Sequence, residues 1–164
     1  MEKKYLTLVV IGYGSRADTY TKFFKENPST GTVVAVAEPN DARRTACQNY
    51  FSIESSKSVT SWELLLNKEV GKIADMCLIA TLDRMHLQPA LAAIELGYDI
   101  ILEKPMGVTV EECWQICKAV KDKGVNMYVC HVMRYHPLFP ALLFYVYQHY
   151  FRHPDFPVSF HKFN

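Results

Sequence analysis

The sequence contains no long run of acidic or basic residues and no apolar segment long enough to cross a membrane. Its formal net charge is +1 over 164 residues, so the charge pattern indicates neither nucleic acid nor an anionic membrane as a partner. Internal repeats and low-complexity segments are also absent. Residues 1–4 lead directly into an apolar run, which is not the arrangement of a secretory signal peptide. We therefore expect a cytoplasmic globular domain with a full hydrophobic core.

No two cysteines are spaced as C-x-x-C, although five occur, at positions 47, 77, 113, 117 and 130. An odd count without that motif predicts reduced thiols. Cys113 and Cys117 share a face of a predicted helix, where a metal or redox pair is the alternative to two buried thiols. His149 and His153 also have metal-compatible spacing, with His161 beyond. We nevertheless predict no metal site.

A glycine motif follows the first apolar run, Leu6–Ile11, which reads as a strand buried on both faces. The motif is G-x-G-x-x-A, with Gly12, Gly14 and Ala17 in the three small-residue positions. Gly12 permits a sharp turn, and Gly14 has no side chain to hold a pyrophosphate away from the backbone. A helix beginning near Ser15 would point its free N–H groups at that phosphate. An ordinary tight turn is the alternative.

A second apolar strand, residues 32–37, ends at Glu38. A carboxylate in this place can accept hydrogen bonds from both ribose hydroxyls of an adenosine, which favours NAD as the cofactor. Glu38 could instead be a helix-capping acid. Arg43 and Arg44 follow closely, so NADP, with its 2′-phosphate, is the less favoured alternative.

Strands and helices alternate along the rest of the chain. Further strands are predicted at residues 74–80, 99–102 and 125–129, and capping boxes at Thr60–Glu63 and Thr109–Glu112 each predict a helix start. Helices are also predicted from residues 15, 41 and 81 onward. This order predicts an α/β fold, a Rossmann-type doubly wound parallel sheet in a single domain.

Polar residues follow the ends of several predicted strands. In a doubly wound sheet these strand ends meet around one crevice, where ligands bind. We therefore expect one site to include Gly12, Glu38, Thr81, Glu103, Lys104 and His131.

Short segments within residues 5–138 carry a family resemblance. They are Gly12-Tyr13-Gly14, Glu38-Pro39, Ser61-Trp62-Glu63, Ile79-Ala80-Thr81 with His86, Ala92-Ala93 before Gly97, Glu103-Lys104-Pro105 and Met133-Arg134-Tyr135. With these segments in this order, the chain resembles the glucose-fructose oxidoreductase and inositol dehydrogenase family, which includes dihydrodiol dehydrogenases and biliverdin reductase. Members have an N-terminal Rossmann domain that binds NAD or NADP and a second domain that holds the substrate.

The resemblance implies roles for individual residues. Lys104 would lie beside the nicotinamide and act on the substrate hydroxyl as the catalytic residue, and the bond to Pro105 would be cis. An ammonium there can orient a substrate oxygen or stabilise developing charge. The cofactor-binding residues would be Gly12, Tyr13, Gly14, Ser15, Arg16, Ala17, Glu38, Thr81, His86, Glu103 and Lys104.

The chain departs from the family pattern in its last residues. From residue 140 to 164, eight of 25 residues are Phe or Tyr, where the family continues into its substrate domain. We expect a Rossmann domain over residues 1–138 and, over 139–164, an aromatic-rich tail that replaces that domain in a truncated product. So many aromatic side chains would form a large apolar patch in water, which favours packing within the chain or a homodimer.

Two functions remain open at this point. One is the NAD(P)-binding domain of an oxidoreductase acting on sugars, polyols or related carbonyl compounds, with a small molecule as substrate. The other is a non-catalytic dinucleotide-binding or regulatory module. Whether the chain is an enzyme depends on whether it can act without a second domain.

Overall fold

A parallel β-sheet of six strands forms the centre of the computed structural model, which describes residues 5–136 and 138–146. The strands are β1 Leu6–Ile11, β2 Gly31–Ala37, β3 Ser58–Val59, β4 Met76–Ile79, β5 Asp99–Glu103 and β6 Met127–Cys130. The helices are α1 Ser15–Glu26, α2 Asp41–Phe51, α3 Leu87–Glu95, α4 Val110–Lys123 and α5 Leu138–Val146.

The strand order is β3-β2-β1-β4-β5-β6, and every neighbouring pair is parallel. The chain runs outward from β1 to β3, returns to the middle as β4, and then runs outward to β6 on the other side. The order of the strands therefore reverses between β1 and β4. Ligands of doubly wound sheets bind at this switch point, outside the carboxyl ends of the strands. The predicted fold class is confirmed.

Each face of the sheet has its own apolar core because side chains alternate along a strand. In β1, Val9 and Ile11 pack in the cluster that includes residues of α3 and α4. Leu8 and Val10 pack in the other cluster, with Ala17 of α1. All four β1 side chains are at most 4% exposed, as the apolar run of a central parallel strand predicts.

The two predicted capping boxes had different outcomes. Thr109 accepts a hydrogen bond from the N–H of Glu112 at 3.2 Å, so the predicted cap at the start of α4 is confirmed. The carboxylate of Glu112 accepts from the N–H of Val108, one residue before the donor of a standard capping box. The box at residues 60–63 is wrong: a 3₁₀ turn, Trp62–Leu64, stands where a helix capped by Thr60 was expected, and Ser61, which precedes the turn, makes no side-chain capping bond. Strand β3 was not predicted either, because a two-residue strand is too short to show periodicity.

Residues 131–164 form a second unit. Its described part comprises a 3₁₀ turn, Val132–Tyr135, and α5. Side chains on α5 are exposed at Leu142, Leu143 and Phe144. The domain boundary predicted after residue 138 stays a prediction, and the histidines at 149, 153 and 161 lie outside the described residues. No helix in the described ranges has the length and apolarity that a membrane crossing requires.

Candidate functional site

The turn after β1 brings two strand ends into close contact. Gly12 has φ +81°, and a Cβ on it would lie 2.7 Å from the carbonyl oxygen of Ala80 and 3.1 Å from Cγ2 of Thr81. Any larger residue would therefore meet both backbone strain and a clash with backbone. Glycine at this position lets the Thr81 loop, after β4, lie directly beside the loop after β1.

Gly14 meets a different requirement from Gly12. Its backbone is extended (φ −81°, ψ −172°), and a Cβ on it would have no neighbour within 4 Å. The fold itself therefore does not require glycine here. The absence of a side chain leaves open space in front of the N-terminus of α1.

The first turn of α1 has no side-chain cap, whereas Asn40 caps α2 and Thr109 caps α4. Ser15 and Arg16 are exposed, and Ala17 is fully buried against the sheet. Backbone N–H groups at a helix start form a site for an anion, because they point outward at the positive end of the helix dipole. The loop therefore fits a pyrophosphate group.

The buried side chain of Tyr13 anchors this loop to the protein interior. Its side chain is 5% exposed, and its hydroxyl lies 3.2 Å from Thr21 Oγ1 and donates to Asp18 Oδ1 at 3.2 Å. Its backbone N–H donates to Oε2 of Glu38 at 2.7 Å. The side chain at position 13 thus supports the loop instead of lining its open side.

Glu38 joins three segments at the end of β2. Besides the Tyr13 N–H, its carboxylate accepts hydrogen bonds from the N–H of Asn40 at 2.8 Å and from Nη2 of Arg43 at 2.7 Å, both at Oε1. A carboxylate offers about four acceptor positions, so these three donors leave about one free. A ribose with two hydroxyl donors would therefore have to displace the guanidinium of Arg43.

The net effect of this environment is to lower the pKa of Glu38. Burial alone would raise the pKa, because it disfavours the charged carboxylate. The hydrogen bonds from Arg43, Asn40 and Tyr13 together outweigh burial. Glu38 is therefore a carboxylate at neutral pH, and only 2% of the residue is exposed.

Replacement of Glu38 with Gln should lower the free energy of unfolding at neutral pH by about 2 kcal/mol, because an amide cannot accept from every donor that the carboxylate satisfies. The pKa of Glu38 is below 4.5 in the folded protein, so its contribution is fully present above that pH. It is lost as the pH falls through the lower pKa of the folded state. Urea unfolding should show the difference from wild type shrinking as the pH falls below 4.5, the usual pKa of a glutamate carboxyl.

Glu95 provides the control for this measurement. Its carboxylate is exposed and pairs with Lys123 at 3.6 Å, so Glu95→Gln should change stability little at any pH. A Glu38→Gln difference that stays constant with pH would contradict the assignment of the depressed pKa.

His86 lies between two loops of the site and is fully buried. Its Nδ1 is 2.7 Å from the carbonyl oxygen of Pro105, and its Nε2 is 3.3 Å from that of Thr81. Both ring nitrogens thus face backbone carbonyls, and the ring joins the loop after β4 to the loop after β5.

Glu103 and Lys104 stand at the end of β5. Glu103 is buried and Lys104 is exposed, and the peptide bond between Lys104 and Pro105 is cis, as predicted. Glu103 accepts hydrogen bonds from the hydroxyl of Tyr20, on α1, and from the backbone N–H of Lys104 at 2.9 Å.

Sequence reasoning did not single out Tyr20. A signal was present, because Ala17, Tyr20, Thr21 and Phe24 recur at helical spacing and all pack toward the sheet. That pattern predicts burial, but it does not predict a hydrogen bond to Glu103.

Four of the residues expected in the site lie at the carboxyl ends of strands in one parallel sheet. Gly12 follows β1, Glu38 follows β2, Thr81 follows β4 and Lys104 follows β5, in a sheet whose strands all run the same way. His131 directly follows β6 but belongs to the second unit.

Comparisons with known proteins agree with this arrangement. Residues 6–131 match the family described as "Oxidoreductase family, NAD-binding Rossmann fold". The chain is 28% identical over 125 residues to an inositol 2-dehydrogenase/D-chiro-inositol 3-dehydrogenase of Halalkalibacterium halodurans, covering 76% of this chain and 35% of that protein. It is 33% identical over 103 residues to a levoglucosan dehydrogenase of Pseudarthrobacter phenanthrenivorans, covering 63% of this chain and 25% of that protein.

Solved structures show the same fold at low sequence identity. The scyllo-inositol dehydrogenase of Lactobacillus casei, crystallised with NAD(H) and scyllo-inositol, superposes with a TM-score of 0.73 at 14% identity, over 88% of this chain and 42% of that one. The WlbA dehydrogenase of Bordetella pertussis, in complex with NADH and UDP-GlcNAcA, gives 0.74 at 18% identity, over 88% and 43%. The chain spans about a third of the length of its first curated relatives, between 25% and 39%.

Proposed function

The chain belongs to the oxidoreductase family with an NAD-binding Rossmann fold, and we propose that residues 12–17 hold the pyrophosphate of the dinucleotide while Glu38 binds the adenosine ribose. The observation that carries the proposal is the uncapped N-terminus of α1 behind Gly14, where a side chain would have free space but none is present. Tyr13 and Ala17 hold this loop in place from the protein side.

The other end of the dinucleotide lies toward β5 in this proposal. Thr81, at the end of β4, lies along the cofactor between the ends of β1 and β5. His86 and Glu103 are both buried and support this part of the site from the protein interior. Lys104, exposed at the end of β5, is the group that meets the nicotinamide half and the substrate oxygen. A bound nicotinamide supplies the capacity to accept or give a hydride.

Replacement of Gly14 with Ala tests the pyrophosphate site. The folded protein has room for the methyl group, so the stability should stay near that of wild type, whereas the backbone could no longer approach the phosphate. Loss of one hydrogen bond to a charged group weakens binding by about ten- to a hundredfold. Isothermal titration with NADH measures this effect.

Gly124→Ala is the matched control. Gly124 ends α4 with φ +72°, and a Cβ on it would have no neighbour within 4 Å, so alanine there strains the backbone far along the chain from the motif. This variant should lose stability and keep NADH affinity. Unchanged NADH affinity in Gly14→Ala would refute the proposed pyrophosphate site.

Cofactor choice depends on the pair of Glu38 and Arg43. We expect the chain to prefer NAD(H), because the buried carboxylate repels a 2′-phosphate and accepts a 2′-hydroxyl. Arg43 is 53% exposed in its side chain, so it can leave Glu38 and is the residue that would meet a 2′-phosphate.

Arg43→Ala should therefore keep or improve NADH affinity and weaken NADPH binding by about tenfold, the loss of one charge-assisted contact. Tryptophan fluorescence titration with both cofactors measures the ratio. Lys118→Ala, which removes an exposed cation paired with Asp122 on α4, should change neither affinity. A wild-type preference for NADPH would reverse the assignment.

The substrate class is proposed from the relatives, whose names refer to inositols and levoglucosan. We propose sugars, polyols or related carbonyl compounds, with the ammonium of Lys104 orienting the reacting oxygen. The alternative is a dinucleotide-binding or regulatory module without catalysis.

The 164-residue chain by itself should bind NAD(H) but form no NADH from polyols at the rates of a longer relative. Hydride transfer requires the substrate to be held against the nicotinamide, and positioning contributes about 7 kcal/mol or more to the barrier reduction. The assay follows NADH absorbance with inositol, glucose and a dihydrodiol. Lys104→Ala is the control, and turnover that disappears in this variant would show that the chain is an enzyme.

The exposed apolar side chains of α5, including Leu143 and Phe144, support self-association as a homodimer. The five cysteines are free thiols, with Cys47 and Cys77 buried, which supports a reducing compartment such as the cytoplasm.

A further inference from the structure

The carboxylate of Glu103 is buried on the face of the sheet that packs against α1. Along β5, Ile100 and Leu102 point into the cluster that includes α3 and α4, and Ile101 packs against the opposite cluster. Alternation places the side chain of Glu103 on the same side as Ile101, toward α1. The residue is 6% exposed.

Two hydrogen-bond donors hold this carboxylate. Oε2 accepts from the N–H of Lys104, and Oε1 accepts from the hydroxyl of Tyr20. Within residues 5–136 and 138–146, no cationic side chain lies within ion-pairing distance of Glu103. A buried acceptor that loses one of so few donors must find another or move.

Tyr20 is held in the donor role by its surroundings. Burial, and then the hydrogen bonds to Glu103 and to the thiol of Cys130, raise the pKa of the phenol well above its usual range. The hydroxyl therefore stays protonated, and its hydrogen bonds connect α1, the helix after the glycine loop, to the ends of β5 and β6.

We propose that Tyr20 is a positioning residue for Lys104: by holding Glu103, it fixes the backbone from which the Lys104 side chain reaches the nicotinamide half of the cofactor. The inference rests on the proposed function. Tyr20 lies on α1, outside the glycine motif, and by this inference it affects the binding of the nicotinamide half of the dinucleotide only.

Tyr20→Phe tests this role with two ligands that differ by the nicotinamide half. Without the hydroxyl, the carboxylate of Glu103 has to turn toward another donor, which breaks its bond to the Lys104 N–H and displaces that residue. NADH should bind about fivefold to tenfold more weakly, whereas ADP-ribose, which lacks the nicotinamide, should change by less than about twofold. Isothermal titration measures both.

Tyr98→Phe is the matched control. Tyr98 is fully buried just before β5 begins, at the opposite edge of the sheet, and its hydroxyl accepts from the N–H of Ile73 at 2.8 Å. Removal of this hydroxyl should destabilise the fold to a comparable extent and leave the affinities for both ligands unchanged.

A double-mutant cycle tests whether Tyr20 acts through Lys104. In a Lys104→Ala background, Tyr20→Phe should weaken NADH binding no further, because the side chain that it positions is gone. Additive losses, or equal losses for NADH and ADP-ribose, would overturn the inference and leave the proposed function standing. If wild type bound neither ligand, the proposed function would fail and the inference with it.

Discussion

The buried carboxylate of Glu38 is the constraint on which the loop after β1 depends. A charge with so little exposure is stable only if donors replace the water that it has lost. Those donors come from the loop at Tyr13, from the start of α2 at Asn40, and from Arg43. The loop after β1, the end of β2 and the start of α2 are therefore held in one geometry.

A second buried acid holds the same helix from the other half of the sheet. Glu103, at the end of β5, accepts from Tyr20, so α1 is connected to both halves of the sheet on either side of the switch point. The two acids differ in how their charges are compensated. Glu38 has a guanidinium partner, Arg43, whose side chain is about half exposed. Glu103 depends on neutral donors, which suits a fixed support.

Local signals accounted for most of the fold. The apolar runs of β1 and β2, and the Thr109 cap, were visible because strand periodicity and capping chemistry act over a few residues. The same reasoning failed at Thr60–Glu63, where a capping-box pattern forms only a 3₁₀ turn. A pattern of hydroxyl and carboxylate permits a helix start, but packing of the following residues decides whether a helix forms.

By itself, the sequence determined the parallel α/β architecture and the positions that follow the strand ends, because backbone sterics and side-chain periodicity are local properties. The turn at Gly12 belongs to this class. The tertiary structure alone decided which polar groups meet at these strand ends. Glu38 meets Tyr13, His86 meets Pro105 and Tyr20 meets Glu103, pairs that are 25, 19 and 83 residues apart. Such contacts arise when buried polar groups must find donors or acceptors in the packed core, and that search depends on the whole fold.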